Sequence, residues 1–488
     1  MKVDFKKLDR AFNPHCLVVI GDSKRNEFQW LRAQSTFQGK LYSVQVNPES
    51  GEAIKALGID NYTSILDIPE PVDLAILTVP RAIVPQVLED CIRKDVAAAH
   101  MFTAGFTETD TEEGIKAEAW LKQRGEEANF HLIGPNCMGL FNPKIGLRQF
   151  PAQYTGDSGP LGIISQSGGH AVNMSLSAHM QGVYVNKSVS YGNGTLLDST
   201  DFLEYFAQDP EIKVIAMYLE GVKDGSRFFK VLRETSRQKP VVIWKGGRTE
   251  EGERAIASHT GSLAVSQAVW EAVVRQCGGI NVKEMDDLID SANALMHLTP
   301  VRGLRVGVTG GSGGQSVNIA DTFAEVGMRL PRLTEESFVQ LRKFYNIVGG
   351  GYLNPVDTGN QNRFQMDQIV DILARDPNID NLALLSLARV LDMDGRLDNL
   401  VEMIGNLKEQ TTKPIISIVT YCSLEEIATV AEAVDKFQKR GIPTFTTIDR
   451  GARALKNTYE YYRMRDLISS EKNLIINQRF LIQENNEP

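Results

Sequence analysis

Cysteine is scarce in this 488-residue chain. The five present stand at positions 16, 91, 137, 277 and 422, an odd number with no Cys-x-x-Cys spacing. This argues against a disulfide framework and against a thiolate metal site, and no metal site is expected on the chain. Long apolar runs are missing too: nothing approaches the roughly 18 residues of a membrane span. The opening stretch MKVDFKKLDRAF has no apolar leader core. The expectation is a cytoplasmic protein with no membrane partner. There is no excess of positive charge, with 52 Lys and Arg against 61 Asp and Glu, so the net field of -9 gives a nucleic acid no help. Two nucleotide motifs are also lacking. No Gly-Lys-Ser/Thr follows any glycine turn, and the first turn, IGDSKRN, is not G-x-G-x-x-G. Residues Gln45–Pro48, after the second strand, offer no acid for a ribose, which argues against an NAD-linked oxidoreductase.

What is present is alternation. Short β-rich runs at Cys16–Ile20, Tyr42–Val46, Leu74–Val79, Val96–Phe102, Leu161–Ser165, Val214–Leu219, Val241–Trp244, Leu304–Thr309, Leu382–Ser386 and Pro414–Ile418 are separated by stretches of helical period. Such alternation predicts an α/β protein built of βαβ units with parallel sheets. Breaks rich in Pro and Gly near residues 142–160 and 298–303 divide it into domains at 1–148, 149–299 and 300–470, with a polar tail at 471–488.

The second and third domains resemble each other. GIISQSGGHAVNMSLSAHMQGV (162–183) lies over GVTGGSGGQSVNIADTFAEVGM (307–328) without a gap. Gly192-Asn193 then matches Gly359-Asn360, Asp209-Pro210 matches Asp376-Pro377, and Lys239-Pro240 matches Lys413-Pro414. The unit is far too long for a solenoid, so the reading is two tandem domains of one ancestry.

Each copy runs strand, Ser/Gly turn, helix. The turns are Ser165, Gln166, Ser167, Gly168 and Gly169 in one, and Gly310, Gly311, Ser312, Gly313 and Gly314 in the other. Glycine lets the backbone approach a ligand closely, and the first N–H groups of the following helix are unpaired at its positive end. Phosphate is the natural occupant, and Ser165, Gln166, Ser167, Gly168, Gly169, Ser312, Gly313 and Gly314 are the candidate phosphate-binding residues. A turn that merely packs strand on helix has the same composition.

Two side chains supply chemistry. His259, in ASHTGSLAV, is read as lying on a small-residue loop between WKGG (244–247) and a helix starting near Val265, where a nucleophile is accessible. Glu220 ends the strand VIAMYLE, at the carboxyl edge where parallel sheets place their sites. A carboxylate on one ring nitrogen fixes the tautomer and frees the other nitrogen to attack phosphorus. The bland alternatives are a surface histidine and a capping carboxylate. Glu220 falls on Leu387 in the third domain, which has no counterpart of His259, so the pattern suits one shared site better than two.

SHTGSLA around His259, YLEGVKDG around Glu220, SQSGG (165–169), IGPNCMGLFNP (133–143), TGGSGG (309–314) and NPVDTG (354–359) together resemble the NDP-forming acyl-CoA synthetases. That superfamily includes ADP-forming acetate–CoA ligases and succinyl-CoA synthetases, and the resemblance spans about residues 1–468. It implies an N-terminal Rossmann-like CoA-binding domain followed by two tandem flavodoxin-like, doubly wound ligase domains. Coenzyme A would be a substrate, held by Gly21, Asp22, Ser23, Val79, Pro80, Ala104, Gly105, Phe106, Asn136 and Cys137. Acyl-CoA and phosphate would give acyl phosphate, and His259, supported by Glu220, would pass the phosphoryl group to ADP. The family's ATP-grasp module is not found after residue 468, which implies a β partner carrying ADP or ATP and magnesium, in an α2β2 assembly. The first loop departs from the family pattern: Asp22 would repel a pyrophosphate. A non-catalytic CoA- or acyl-CoA-binding protein of the same fold is the alternative, and retention of His259 and Glu220 argues against it.

Cys137 sits where a thiol cofactor is expected, yet no positive neighbour in sequence would make it a thiolate, so it reads as a small packed residue. Cys137→Ser is expected to keep most acyl-CoA turnover; complete loss of thiol release would give the sulfur a covalent role.

Overall fold

The computed structural model describes residues 2–260, 266–346, 351–393 and 395–484; the side chains of 257–260, 360, 361, 363 and 471–484 are outside the description. The chain divides into two compact units, residues 1–179 with 183–283, and residues 180–182 with 284–488.

The first unit contains two six-stranded sheets. The first comprises β1 (Cys16–Ile20), β2 (Lys40–Val44), β3 (Asp60–Tyr62), β4 (Leu74–Leu77), β5 (Ala98–Met101) and β6 (Leu132–Ile133). All are parallel, in the order β3-β2-β1-β4-β5-β6, the doubly wound order of a Rossmann-like domain. Helices cover both faces, so β1, β4 and β5 are buried at every residue, and β1 and β4 read as continuous apolar runs.

The second sheet comprises β7 (Gly139–Phe141), β8 (Leu161–Ser165), β9 (Val185–Ser190), β10 (Val214–Leu219), β11 (Val241–Lys245) and β12 (Ile280–Val282). Its order is β12-β11-β10-β8-β9-β7, parallel except for β7, which runs antiparallel to β9. Counted from β8, this is the flavodoxin-like 2-1-3-4-5 order, with its crevice where β8 separates β9 from β10. The sequence offers no β run for β9, whose residues are VNKSVS. The strand is nonetheless fully buried, because Lys187 is paired with Asp209 at 2.6 Å. The N-terminal helix Phe5–Phe12 joins the two halves of this unit. Asp4 caps it, and Phe12 stacks on Tyr205 at 5.1 Å and meets Phe206 at 5.5 Å.

The second unit holds β13 (Val306–Thr309), β14 (Asn381–Leu387), β15 (Ile415–Thr420) and β16 (Thr444–Phe445), in that order and parallel. The place of a second strand beside β13 is taken by single bridges at Arg329 and Val356. Asn354 helps fill it: its side chain accepts from the Val308 N–H at 2.9 Å and donates to the Val306 carbonyl at 3.0 Å. The repeat seen in the sequence is thus one topology, with a strand reduced to side-chain pairing in the later copy.

The helix Met285–His297 belongs to this second unit, where the long helix Ile448–Glu484 packs on it. Arg450 grips the buried Asp290 (2.6 Å), Arg453 pairs with Asp287 (2.9 Å), and Asn457 bonds Ser291 (2.9 Å). Spacings of three and four on both helices align this ladder. The backbone of the long helix runs through residues read from sequence as a polar tail. No helix among the described residues is long and apolar enough to cross a membrane.

His100 lies in β5 with both ring nitrogens buried and without a partner among the described residues. A Cβ on Gly139 would stand 1.9 Å from its Nδ1, so a glycine is required there. Burial pushes the imidazole down to about 3 from 6.5. The unfolded chain therefore binds the extra proton between those values, and stability is fully present above pH 6.5 and lost as pH falls towards 3. Unfolding free energy is expected to drop by about 1.4 kcal/mol per pH unit in that window on account of this group. His100→Leu should flatten the slope in denaturant titrations; an unchanged slope would exclude this origin.

Candidate active site

The carboxyl edge of the first sheet gathers the loops singled out by sequence. Gly21, with φ of +91°, lies so close to Val79 that a Cβ would come within 2.5 Å of its Cγ1. Arg81, following Pro80, donates to the Gly105 carbonyl. Asn136 has φ of +57° and follows a cis Gly134–Pro135 bond; its N–H donates to Thr103. The structure therefore brings together the Gly21–Ser23, Val79–Pro80, Ala104–Phe106 and Asn136–Cys137 loops.

Four of those residues face inward, among them Phe106, which is 1% exposed. Asp22 is fully buried and accepts from the Leu31 and Ser23 N–H groups at 2.9 and 3.1 Å. Burial raises its carboxyl pKa, against the pull of those bonds. The Cys137 thiol is buried, its Sγ 3.5 Å from the Met101 and Ile133 carbonyls, and burial pushes it up to about 12. Val79 is also buried. The Gly105 and Phe106 N–H groups are occupied by the Glu108 carboxylate.

The same unit places the first glycine turn beside these loops. A Cβ on Gly168 would meet Met138 Cγ at 2.6 Å, so the residue after Cys137 packs directly on the start of the Gly168–Met180 helix. Gly169 has open space around it. The Ser165 hydroxyl is buried and spent on the Ser167 carbonyl at 2.6 Å, so it supports the turn rather than facing outward. Gly192 lies against the Pro135 and Asn136 carbonyls. Asn193 donates its amide to Glu108 (2.7 Å) and Glu118 (2.9 Å), tying the Ala104–Phe106 loop to the second sheet.

Glu220 is 8% exposed at the end of β10. Its backbone is held on both sides. Gln166 Oε1 accepts from the Glu220 and Gly221 N–H groups at 2.9 and 3.2 Å, and the buried Lys245 donates to the Glu220 carbonyl at 2.7 Å. Burial lowers the Lys245 pKa, opposed by the Glu220 charge. The carboxylate itself is less engaged. Oε1 accepts from the Tyr218 hydroxyl at 3.3 Å, and Oε2 is buried without a partner among the described residues. A buried carboxylate oxygen without a donor is costly, and a cationic or N–H-bearing partner would relieve it. Tyr218, Trp244 and His170 form an aromatic cluster beside it, with ring centroids 4.4–4.7 Å apart.

His259 lies in the last turn of the helix Glu250–Thr260, not on a loop, and the next helix starts at Gln267 rather than near Val265. The acidic first turn, Glu250, Glu251 and Glu253, suits a helix N-terminus and outweighs the small residues at the other end. This helix lies against the turn Thr107–Thr109, on the side of the CoA-domain loops. The His259 side chain and residues 261–265 are outside the described residues.

The second turn stands in the other unit. Ser312 caps the Gly313–Glu325 helix and forms a capping box with Gln315. The buried Asp357 has one carboxylate oxygen bonded to the Gly359 N–H at 2.6 Å and the other without a partner among the described residues, 3.4 Å from where a Gly313 Cβ would stand. Gln166 as a clamp, Tyr218 and Lys245 were not foreseen. Tyr218 carried a signal, since it lies two residues before Glu220 on one face of a strand.

Comparison with known proteins agrees with this fold. Residues 17–143 match the CoA binding domain family, and residues 158–295 match the succinyl-CoA ligase like flavodoxin domain. The chain is 33% identical to the alpha subunit of ADP-forming acetate–CoA ligase II of Pyrococcus furiosus, over 90% of this chain and 94% of that one. The chain belongs to the ADP-forming acetate–CoA ligase family. It is also 32% identical to the Archaeoglobus fulgidus ADP-forming acetate–CoA ligase I, of which it spans 64% of the length. Among solved structures, the dinucleotide forming acetyl-coenzyme A synthetase 1 of Ca. Korarchaeum cryptofilum, in complex with phosphate and ADP, superposes with a TM-score of 0.81 at 30% identity. That match covers 95% of this chain and 98% of that one.

Along the chain, the CoA-binding match precedes the flavodoxin-like match. Gln166→Leu is expected to strand two backbone N–H groups at Glu220 and Gly221, costing about 1–3 kcal/mol of stability. Equilibrium denaturation of the full chain checks this, and an unchanged midpoint would mean that water replaces the amide.

Proposed function

We propose that this chain is the alpha half of an acid–CoA ligase that interconverts acyl-CoA, phosphate and ADP with acid, CoA and ATP. The observation that carries the reading is the buried Oε2 of Glu220, without a partner among the described residues and held beside the Ser167–Gly169 turn in the same unit as the CoA-domain loops. In this reading residues 1–148 bind CoA, 149–299 carry the phosphohistidine and 300–470 supply the second glycine turn.

Phosphate attacks the thioester carbonyl, the C–S bond breaks, and CoA leaves as the thiol, giving acyl phosphate. His259 then attacks phosphorus, the P–O bond to the acyl group breaks, and the carboxylate departs. Glu220 holds the opposite ring nitrogen and offsets the positive charge that develops on the imidazole. The N–H groups at Gly168 and Gly169 receive phosphoryl oxygens, and preorganised donors of this kind need no rearrangement as charge builds; Gly313 and Gly314 offer the same kind of donors in the second unit. Gly21, Ser23, Pro80, Ala104 and Asn136 line the rim for CoA. Asp22, Val79, Cys137 and Ser165 support it from behind. The phosphoryl group passes to ADP on an ATP-grasp beta subunit that holds the nucleotide and magnesium, in an α2β2 assembly in the cytoplasm.

Incubation of the full chain with acyl-CoA and radiolabelled phosphate tests this without the partner. Acid-labile, base-stable label on His259 is expected, with CoA released in step. His259→Ala should abolish the label while CoA still binds, and Glu220→Gln should slow labelling by ~100-fold. Label that persists in His259→Ala would overturn the assignment, and CoA binding without label in any variant would favour the non-catalytic alternative.

A further inference from the structure

The carboxylate of Glu220 stands at the end of an aromatic cluster that lies wholly within the first unit. Tyr218 and Glu220 are two residues apart along β10 and its end, so both side chains leave on one face of the sheet. The Tyr218 ring is 7% exposed and pinned from two sides. Trp244, its partner in register on β11, lies 4.7 Å from it at 64°. His170, in the first turn of the Gly168–Met180 helix, lies 4.4 Å from it at 56°. Edge-on and tilted pairs of this kind fix the direction of a ring as well as burying it. The third neighbour is a glycine. A Cβ on Gly246 would stand 2.6 Å from the Tyr218 hydroxyl oxygen and 3.5 Å from the Glu220 Cγ. The Gly246 backbone lies outside the left-handed region, so the glycine leaves room for the hydroxyl rather than serving a turn.

A carboxylate only accepts, so the phenol donates, and Glu220 Oε1 is its hydrogen-bond partner among the described residues, at 3.3 Å. Burial, and after it the Glu220 charge, push the Tyr218 pKa above its ordinary value, so the proton stays on the phenol. A buried hydroxyl costs desolvation that phenylalanine in the same ring slot avoids, and its one bond is to the carboxylate that matters. That bond makes the two oxygens of Glu220 unequal. Oε1 is held by Tyr218, whereas Oε2 is buried without a partner among the described residues. Exchanging them means turning the carboxyl group about its last bond and breaking the bond to Tyr218.

We propose that Tyr218 is a positioning residue for the phosphoryl transfer: its hydroxyl, in the slot that Gly246 leaves, fixes the plane of the Glu220 carboxylate so that Oε2 is the oxygen offered to the imidazole. The proposal rests on the ligase reading. One ring nitrogen of His259 forms the bond to phosphorus, the P–O bond to the acyl group breaks, and its electron pair leaves with the carboxylate. The N–H on the other ring nitrogen stays donated to Oε2. No bond to Tyr218 forms or breaks, and its proton remains on the phenol.

The test follows label from radioactive phosphate onto the full chain over a range of acyl-CoA concentrations. Tyr218→Phe keeps the ring and removes the donor. It is expected to lower the maximal labelling rate by ~10-fold while the half-saturating acyl-CoA concentration moves by less than ~2-fold. In a Glu220→Ala chain, the same substitution should add no further slowing, because Tyr218 acts through the carboxylate. Gly246→Ala, whose methyl displaces the hydroxyl, should slow labelling to a similar degree, and combining it with Tyr218→Phe should be no worse than either alone. Wild-type labelling by Tyr218→Phe, a loss confined to acyl-CoA affinity, slowing that persists in full without Glu220, or a Gly246→Ala/Tyr218→Phe chain slower than both single variants would each overturn the proposal. Label on wild-type His259 with an unaffected Tyr218→Phe defeats this inference alone, whereas no label on the wild-type chain defeats the ligase reading and this one with it.

Discussion

The hold on the end of β10 is the constraint from which the candidate site follows. Gln166 takes two successive N–H groups on one side, and Lys245 takes the carbonyl on the other, so the backbone of Glu220 has no freedom to turn. The amide oxygen of Gln166 must face those donors, because a backbone N–H can only donate. With the main chain fully satisfied, the carboxylate is left with one long hydrogen bond and one oxygen without a donor among the described residues. The clamp also makes the glycine turn and the carboxylate a single rigid element, since Gln166 belongs to the turn itself.

A second effect is the way one topology was put to two uses. Both copies run strand, glycine turn, helix, and both place a half-satisfied buried carboxylate near the turn, Glu220 in the first and Asp357 in the second. They differ where the neighbouring strand ends. The first copy has Glu220 there, packed beside Tyr218 and Trp244. The second has Leu387, and the space is left open as a cavity lined by apolar side chains and two arginines.

Much of this was legible in sequence. The buried parallel strands announce themselves as short apolar runs, and β1, β8 and β10 begin and end where composition places them. The glycine turns and their duplication required no structure, because turn chemistry is local. Strands such as β9, β12 and β16 were hidden, being short or polar, and they form because neighbouring strands offer backbone partners. His259 was placed on a loop because small residues surround it, but the acidic start of its helix carries the backbone through it.

The sequence by itself determined the α/β alternation, the repeated Ser/Gly turns and which residues are candidates for phosphoryl chemistry, since these depend on periodicity and side-chain chemistry alone. Tertiary structure decided which of them face a ligand. Asp22 and Cys137 stand in the right loops, yet hydrogen bonds from Leu31 and burial beneath Met101 turn both inward. Gln166, in the middle of a phosphate-type turn, spends its carbonyl oxygen on another strand. Orientation of this kind is set by partners distant in sequence, and no local pattern records where a distant N–H will lie.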